Sequence, residues 1–301
     1  MRILHFCAGL QFWNGMANTA RQFMEEETAQ GHESSVTDCP DGIVPGIDVV
    51  YIHGAWLPVL WKAAKRAKSV GAKLIIRPAG SYDPIRLAYH SWKKRLVAYF
   101  ERKMLHRADV LLATCKAEAI WIKNYVGKDC PKVEISDLKR FFVLNHGKWE
   151  EKPEARNQKL NILYLGRMHP LKGVKYLELA VVELNCSRRL RAPGCNSDCV
   201  ELKIVSGAKG EELEKIWQWA DVLVLPTLSE NFGRVVAEAL ERGKRVITTD
   251  GAPVWEPEDR GQELGVSAGY GGRLLFLRGY RDGSKRQRVE LLKGAIKRMY
   301  I

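Results

Sequence analysis

The chain has 301 residues, a length that suits two domains of about 150 residues each. Apolar residues are 46% and charged residues 28%, which excludes a disordered, collagenous or fibrous chain, and no run of about 18 apolar residues marks a transmembrane helix. The net charge of +13 is mostly local: residues 51–107 hold thirteen Lys/Arg against two acids, Asp83 and Glu101, so this face calls for an anionic partner such as nucleic acid, an acidic membrane or a phosphorylated substrate.

In chain order, residues 2–7 (RILHFC) read as a buried strand rather than a signal peptide, because the apolar run is too short and lacks a cleavage site. A helical pattern covers 15–30. Residues 48–53 (DVVYIH) form a strand, 56–70 a helix and 73–77 (KLIIR) a strand. A long amphipathic helix covers 84–107 with a break near His90. A strand at 109–114 (DVLLAT), a helix to about Val126 and a strand at 140–144 (RFFVL) follow. The polar stretch 148–159 (KWEEKPEARNQK), with Pro153, reads as a linker. The alternation then restarts: strands at 160–165, 200–205, 221–225 and 245–249, helices at 173–184, 211–219, 233–241 and 284–300, and a glycine-rich loop at 265–272.

Short apolar strands separated by helices predict parallel sheets covered by helices. Two such runs predict two Rossmann-like domains, 1–150 on the acceptor side and 151–301 on the donor side, with ligands at the carboxyl ends of the strands, in a cleft that both sheets face. No strand is followed by G-x-G-x-x-G, and no P-loop is present, so dinucleotide and ATPase readings lose their support.

Seven cysteines, an odd number at irregular spacing, point to a reducing, cytoplasmic compartment. Cys186, Cys195 and Cys199 could hold zinc or close a disulfide loop. With no Cys-x2-Cys knuckle and no fourth ligand, a surface insertion with incidental thiols is preferred, and no metal site is assigned.

Three segments of the second half carry chemistry. Gly166-Arg167-Met168-His169-Pro170-Leu171-Lys172-Gly173 follows a strand and brings two cations to a strand-to-helix turn, which suits phosphate, although a solvated basic loop would look alike. The stretch from Pro226 to Leu240 (PTLSENFGRVVAEAL) places Glu230 before a helix and Glu238 about two turns into it. Gly233 lets a ligand approach, and the helix N-terminus favours a diphosphate. An N-terminal carboxylate on an exposed helix explains one of these acids but not Asn-Phe-Gly and the flanking pattern. Residues 248–256 (TTDGAPVWE) lie at the same sheet edge and read as a turn.

Together GRMHPLKG, ADVLVLPTLSENFGRVVAEAL and RVITTDGAPVWE resemble family-4 retaining glycosyltransferases of the GT-B fold. Looser likenesses at Asn14–Asn18, Gln30–Glu33 and 144–147 resemble the same family, and His53-Gly54-Ala55-Trp56, 91–95 and Arg107-Ala108-Asp109 followed by Ala113-Thr114 resemble its members in bacterial surface polysaccharide and lipopolysaccharide synthesis. The resemblance implies that Arg167 and Lys172 bind the donor diphosphate and that Glu230 contacts the donor sugar. It implies that Asn231, Phe232, Gly233 and Val235 present the backbone and helix end to sugar and phosphate, that Glu238 binds the ribose, and that Gly15 lets an N-terminal loop approach the phosphates. It also implies transfer with retained configuration by same-face attack. No cofactor or obligatory metal is implied beyond a UDP- or GDP-sugar donor as substrate, and the sequence has no Asp-x-Asp triplet. The acceptor would be a glycan or a lipid-linked hydroxyl. The basic region 51–107 would then face it, docking peripherally on an anionic bilayer or serving as a solvated face, while nucleic acid is not expected.

Three departures stand out. Ala79 occupies the place of the family's usual His after Arg77-Pro78. The stretch between Val205 and Asp221 is too short for the strand and loop that usually help to hold the base. The end after Gly272 is brief, leaving the last helix as the element that would cross back onto the N-terminal domain. These motivate an alternative, a catalytically impaired nucleotide-sugar-binding scaffold. A nucleotide-sugar epimerase is a third reading, which GRMHPLKG with ENFG disfavours.

Overall fold

The computed structural model describes residues 1–10, 15–89, 91–142, 159–191, 200–257, 266–269 and 273–300. The chain divides into two compact units, Met1–Phe141 and Phe142–Ile301. The 148–159 linker, apart from Lys159, lies outside the described residues.

The first unit comprises β1 (Arg2–Cys7), α1 (Gly15–Ala29), β2 (Glu33–Thr37), β3 (Val49–His53), α2 (Pro58–Ser69), β4 (Lys73–Arg77), α3 (Pro84–Ala88), α4 (Ser91–Leu105), β5 (Val110–Ala113), α5 (Lys116–Val126) and β6 (Lys132–Ile135). The strands form one parallel sheet in the order β2-β1-β3-β4-β5-β6. The central strands are buried nearly end to end because helices cover a parallel sheet on both faces. Helix α2 starts with a proline at its first turn and buries Leu60, Ala63, Ala64 and Ala67, a stripe at helical spacing whose small side chains allow close packing.

Two sequence readings are corrected here. The edge strands β2 (ESSVT) and β6 (KVEI) are half polar and half exposed, so they escape a search for apolar runs. The strand expected at 140–144 is instead a 3-10 turn at Leu138–Phe141, with 143 and 144 outside the described residues. The break expected near His90 in the helical stretch 84–107 falls between α3 and α4; Asp83 caps the first by accepting from the Ile85 N–H at 2.9 Å.

The second unit comprises β7 (Leu160–Leu165), α6 (Val174–Arg191), β8 (Val200–Val205), α7 (Gly210–Trp219), β9 (Val222–Leu225), α8 (Arg234–Glu241), β10 (Arg245–Thr249), β11 (Val266–Gly269), β12 (Leu274–Leu277) and α9 (Lys285–Tyr300). Its sheet runs β11-β12-β10-β9-β7-β8, parallel except for β11, which pairs antiparallel with β12. Strand β11 lies within the glycine-rich segment read as loop, and its short VSAG run carries no apolar signal. The last helix packs within its own unit: Lys293 pairs with Glu183 of α6 at 2.8 Å, and the Arg288 guanidinium donates to the Tyr176 hydroxyl at 2.9 Å. A single helix links β8 to β9, so the short stretch noted in the sequence holds no additional strand.

Candidate functional site

Four loops meet at the carboxyl edge of the second sheet. After β7 the Tyr164 hydroxyl donates to the Arg167 carbonyl at 2.9 Å, fixing the turn. His169 accepts from the Leu171 N–H at 3.2 Å and caps a 3-10 turn at Pro170–Lys172. Gly173 then adopts a left-handed conformation (φ 66°), and a Cβ there would fall 2.0 Å from the Pro226 carbonyl oxygen. Only glycine lets the loops after β7 and β9 cross so closely. The crossing is stapled at the Leu171 carbonyl, which accepts from the Leu228 N–H at 2.8 Å and the Thr227 hydroxyl at 3.1 Å.

The loop after β10 locks the other side. The Gly251 carbonyl accepts from the Glu230 N–H at 2.7 Å, and a Cβ on Gly251 would lie 2.1 Å from the Thr227 oxygen. The Thr249 hydroxyl donates to Thr227, and the fully buried Trp255 indole donates to the Phe232 carbonyl. After β12, the Gly279 and Arg281 N–H groups both donate to the Asp250 carboxylate at 2.7 Å.

This frame aims the sequence-predicted groups. The Lys172 ammonium forms an ion pair with Glu230 Oε2, and these side chains are only 13% and 19% exposed. Glu230 Oε1 accepts from the Asn231 N–H at 3.0 Å. Gly233, at φ 66°, opens α8, and a Cβ on it would lie 3.3 Å from Glu230 Cγ. Lys172, Glu230, Asn231 and Gly233 therefore share one spot. Arg167 is exposed on the adjoining turn. Burial first, and then the Glu230 charge, push the Tyr164 phenol up to about 12, with Arg167 pulling the other way, so both charged groups act on one ring.

Phe232 is buried against Trp255 and contributes its carbonyl rather than its ring to the loop frame. Val235 is half-buried in the first turn of α8. Glu238 lies one turn further on; burial raises its carboxyl above the ordinary range, while Arg234 and Arg242 pull it back. Gly15 is exposed at the start of α1 in the first unit, where its carbonyl accepts from the Thr19 hydroxyl at 2.8 Å.

Thr249, Asp250, Gly251 and Trp255, in the third of the chemistry-bearing segments, build this frame together with Thr227 of the second; none of them was among the expected ligand-binding residues, and Tyr164, in the apolar strand LNILYL, carries no sequence signal for its role.

In the first unit, Ala79 sits at φ 55°, a conformation rare for a residue with a Cβ. Beyond it, the Gly80 N–H donates to the buried Glu118 at 2.5 Å. Most cations of α2 and α4 face solvent, as does an aromatic stripe on α4. Trp92 is 62%, Leu96 73%, Tyr99 66% and Phe100 53% exposed, beside the exposed Lys93, Arg95, Arg102 and Lys103. The opposite face of α4 buries Glu101, which accepts from the Tyr82 hydroxyl at 2.5 Å and the Trp61 indole at 2.7 Å.

Among the described residues, no cluster of His, Cys, Asp and Glu could hold a metal ion, and no helix is long and apolar enough to cross a membrane. Cys186 is an exposed free thiol, whereas Cys195 and Cys199 lie outside the described residues.

Two family models match, one in each unit: a glycosyl transferase 4-like domain over residues 42–129 and glycosyl transferases group 1 over residues 159–266. A D-inositol 3-phosphate glycosyltransferase of Paenarthrobacter aurescens is 28% identical over 178 residues, 50% of this chain and 43% of that one. An uncharacterized 41.2 kDa protein in the cps region of Klebsiella pneumoniae is 25% identical over 227 residues, 69% of this chain and 62% of that one. The chain thus spans less than two thirds of the length of these relatives. Among solved structures, a sucrose-phosphate synthase from Thermosynechococcus elongatus aligns with a TM-score of 0.66 at 15% identity, covering 99% of this chain and 89% of that one. WaaG, a glycosyltransferase involved in lipopolysaccharide biosynthesis, aligns at 0.60 and 16%, covering 99% and 92%. A glycosyltransferase model is thus matched in each of the two Rossmann-like units, and the fold is that of the GT-B glycosyltransferases.

Proposed function

We propose that the protein is a retaining glycosyltransferase that moves a sugar from a nucleotide-diphosphate sugar, UDP- or GDP-linked, to a hydroxyl of a glycan or lipid-linked acceptor. The observation that carries this reading is the Lys172–Glu230 pair at the opening of α8, where a cation, a carboxylate and a helix N-terminus converge. Arg167, Lys172 and the N-terminus of α8, with Val235 in its first turn, would offset the charge that develops on the leaving diphosphate. Glu230 would accept hydrogen bonds from donor-sugar hydroxyls, with Asn231, Phe232 and Gly233 offering backbone close by. Glu238, a half-buried carboxyl one helical turn beyond Val235, would accept from the ribose hydroxyls. Gly15, in the first unit, is the further residue that the family resemblance assigns to the donor phosphates. With cations and a helix end available, the reaction needs no metal ion.

The acceptor side would be the basic first unit. The exposed stripe of α4, apolar and aromatic with cations along its flanks, suits the headgroup layer of an anionic bilayer, where a lipid-linked acceptor would be met.

A thermal-shift panel of UDP-, GDP- and ADP-sugars tests the donor site. A ligand at 100 times its dissociation constant stabilises by about 2.7 kcal/mol. One base class should raise the melting temperature, and transfer or donor hydrolysis should be lost in Glu230→Ala. Flat responses to every donor would reject the enzyme. Donor binding without turnover would favour the scaffold that Ala79 suggests.

A further inference from the structure

The two cations of the donor site are placed by different means. The Lys172 ammonium pairs with Glu230, and both side chains are mostly shielded from solvent. Arg167 is exposed, so packing does not set where its guanidinium stands. The turn that carries it does, and that turn is tied on either side of Arg167. The Gly166 N–H donates to the Val205 carbonyl of β8 at 3.0 Å, and the Tyr164 hydroxyl donates to the Arg167 carbonyl at 2.9 Å. The peptide planes at 165–166 and 167–168 are thereby held, and the Arg167 Cα–Cβ bond between them has little freedom of direction left. Tyr164 is fully buried in β7, and a Cβ on Gly166 would come within 3.2 Å of its hydroxyl, so the phenol lies directly against the turn. Burial, and then the Glu230 charge, push this phenol up to about 12. It therefore keeps its proton near neutral pH and serves as a hydrogen-bond donor, not as a base.

We propose that Tyr164 is a positioning residue of the donor site, whose hydroxyl holds the turn that aims Arg167 at the donor diphosphate. This rests on the donor-site reading above. A turn ordered before the ligand arrives spares binding the entropic cost of ordering it. Tyr164→Phe keeps the ring and removes only the bond to the carbonyl. The turn then samples other conformations, and the affinity contributed by Arg167 falls with the fraction that still points it at phosphate. Lys172, held by Glu230 and by the loop crossing at Gly173, keeps its place.

Isothermal titration of UDP, GDP and ADP into the full chain tests this through a double-mutant cycle. The diphosphate that binds the wild type should bind Tyr164→Phe about three- to tenfold more weakly, the usual worth of one hydrogen bond. Arg167→Ala should lose about tenfold. With Arg167 gone the hydroxyl has nothing to aim, so adding Tyr164→Phe to Arg167→Ala should change affinity by less than about twofold. A ring that merely supports the fold would weaken binding by the same factor in both backgrounds. Wild-type affinity in Tyr164→Phe or in Arg167→Ala, or a full tyrosine effect in the absence of Arg167, would overturn the inference while loss of binding in Lys172→Ala leaves the donor site standing. If no diphosphate binds the wild type, or if Arg167→Ala and Lys172→Ala both bind unchanged, donor site and inference fail together. Should Tyr164→Phe not fold, Gly166→Ala, whose Cβ would press on the same hydroxyl, takes its place in the cycle with the same outcomes.

Discussion

His5 Nδ1 lies 3.0 Å from His53 Nε2 across the neighbouring strands β1 and β3, and the other ring nitrogen of His5 lies 2.8 Å from Glu27. Ser34 donates to the same carboxylate oxygen at 2.7 Å. A carboxylate only accepts, so His5 Nε2 carries a proton. His5 Nδ1 and His53 Nε2 then share a single proton between them. Complete burial, with His5 and Arg77 adding to it, holds His53 well below its ordinary value near 6.5. The unfolded chain therefore binds a proton at His53 at a pH where the folded chain does not. The group's contribution to stability is present above about 6.5 and is lost as pH falls toward the folded value, by up to ~1.4 kcal/mol per pH unit for one proton. Denaturant unfolding between about pH 7.5 and 5.5 should show this fall, and His53→Gln should flatten it. Equal slopes in the two proteins would show that His53 is not buried neutral.

The loop crossings give a second prediction. Gly173→Ala and Gly251→Ala place a methyl about 2 Å from backbone oxygens of the ENFG loop, where no side chain can yield. Each should cost about 2–4 kcal/mol, from overpacking and, at Gly173, from left-handed strain. Gly294 lies in α9 with nothing within 4 Å of its would-be Cβ, so Gly294→Ala should instead stabilise by about 0.5–1 kcal/mol. Melting curves read the contrast; three similar shifts would mean that the loops are not held as closely as described.

The buried strands were legible because a parallel sheet covered on both faces needs unbroken apolar runs, and RILHFC, KLIIR, LNILYL and DVLVL supply them. The edge strands ESSVT, KVEI and VSAG were not, because an edge is half solvated and its pairing is carried by backbone rather than side chains. At the site, Lys172, Glu230 and Gly233 were legible from spacing and charge. The frame that joins them was not: Gly251, Thr249 and Trp255 act through carbonyls, hydroxyls and an indole over long sequence separations, and no local period records such contacts. Glu101 shows the converse. In sequence it is one of two acids in a basic region, yet it is the buried anchor that turns the aromatic stripe of α4 outward.

That stripe carries a third prediction. Each Lys or Arg near an anionic surface contributes about 1 kcal/mol. Replacing Lys93, Arg95 and Lys103 by Gln should therefore weaken binding to phosphatidylglycerol vesicles by about two orders of magnitude and leave the melting temperature almost unchanged. Leu96→Ser, at the most exposed apolar position, should weaken binding to these vesicles at high salt, where the apolar part dominates. Sedimentation with anionic and zwitterionic vesicles measures both; equal affinity for the two surfaces would refute electrostatic docking.

The two cations of the donor site should separate by stability. Arg167 is exposed on its turn, so Arg167→Ala should change stability by no more than ~0.5 kcal/mol while lowering sugar transfer by about 10²-fold, the usual loss of one preorganised charge. Lys172 is shielded and paired, so Lys172→Ala should lose a comparable or larger factor in transfer. It should also destabilise by ~1–2 kcal/mol, because it takes the cation away from the mostly shielded Glu230 carboxylate. Replacing Glu230 as well should recover part of that stability without recovering transfer, since the penalty belongs to the carboxylate left behind and not to a missing bond. Unfolding curves of the single and double variants, set beside their transfer rates with and without a chelator, decide the point. Additive stability losses would mean that the two side chains do not form a pair in solution, and rates that collapse with the chelator would mean that the leaving diphosphate depends on a metal ion as well as on Arg167 and Lys172.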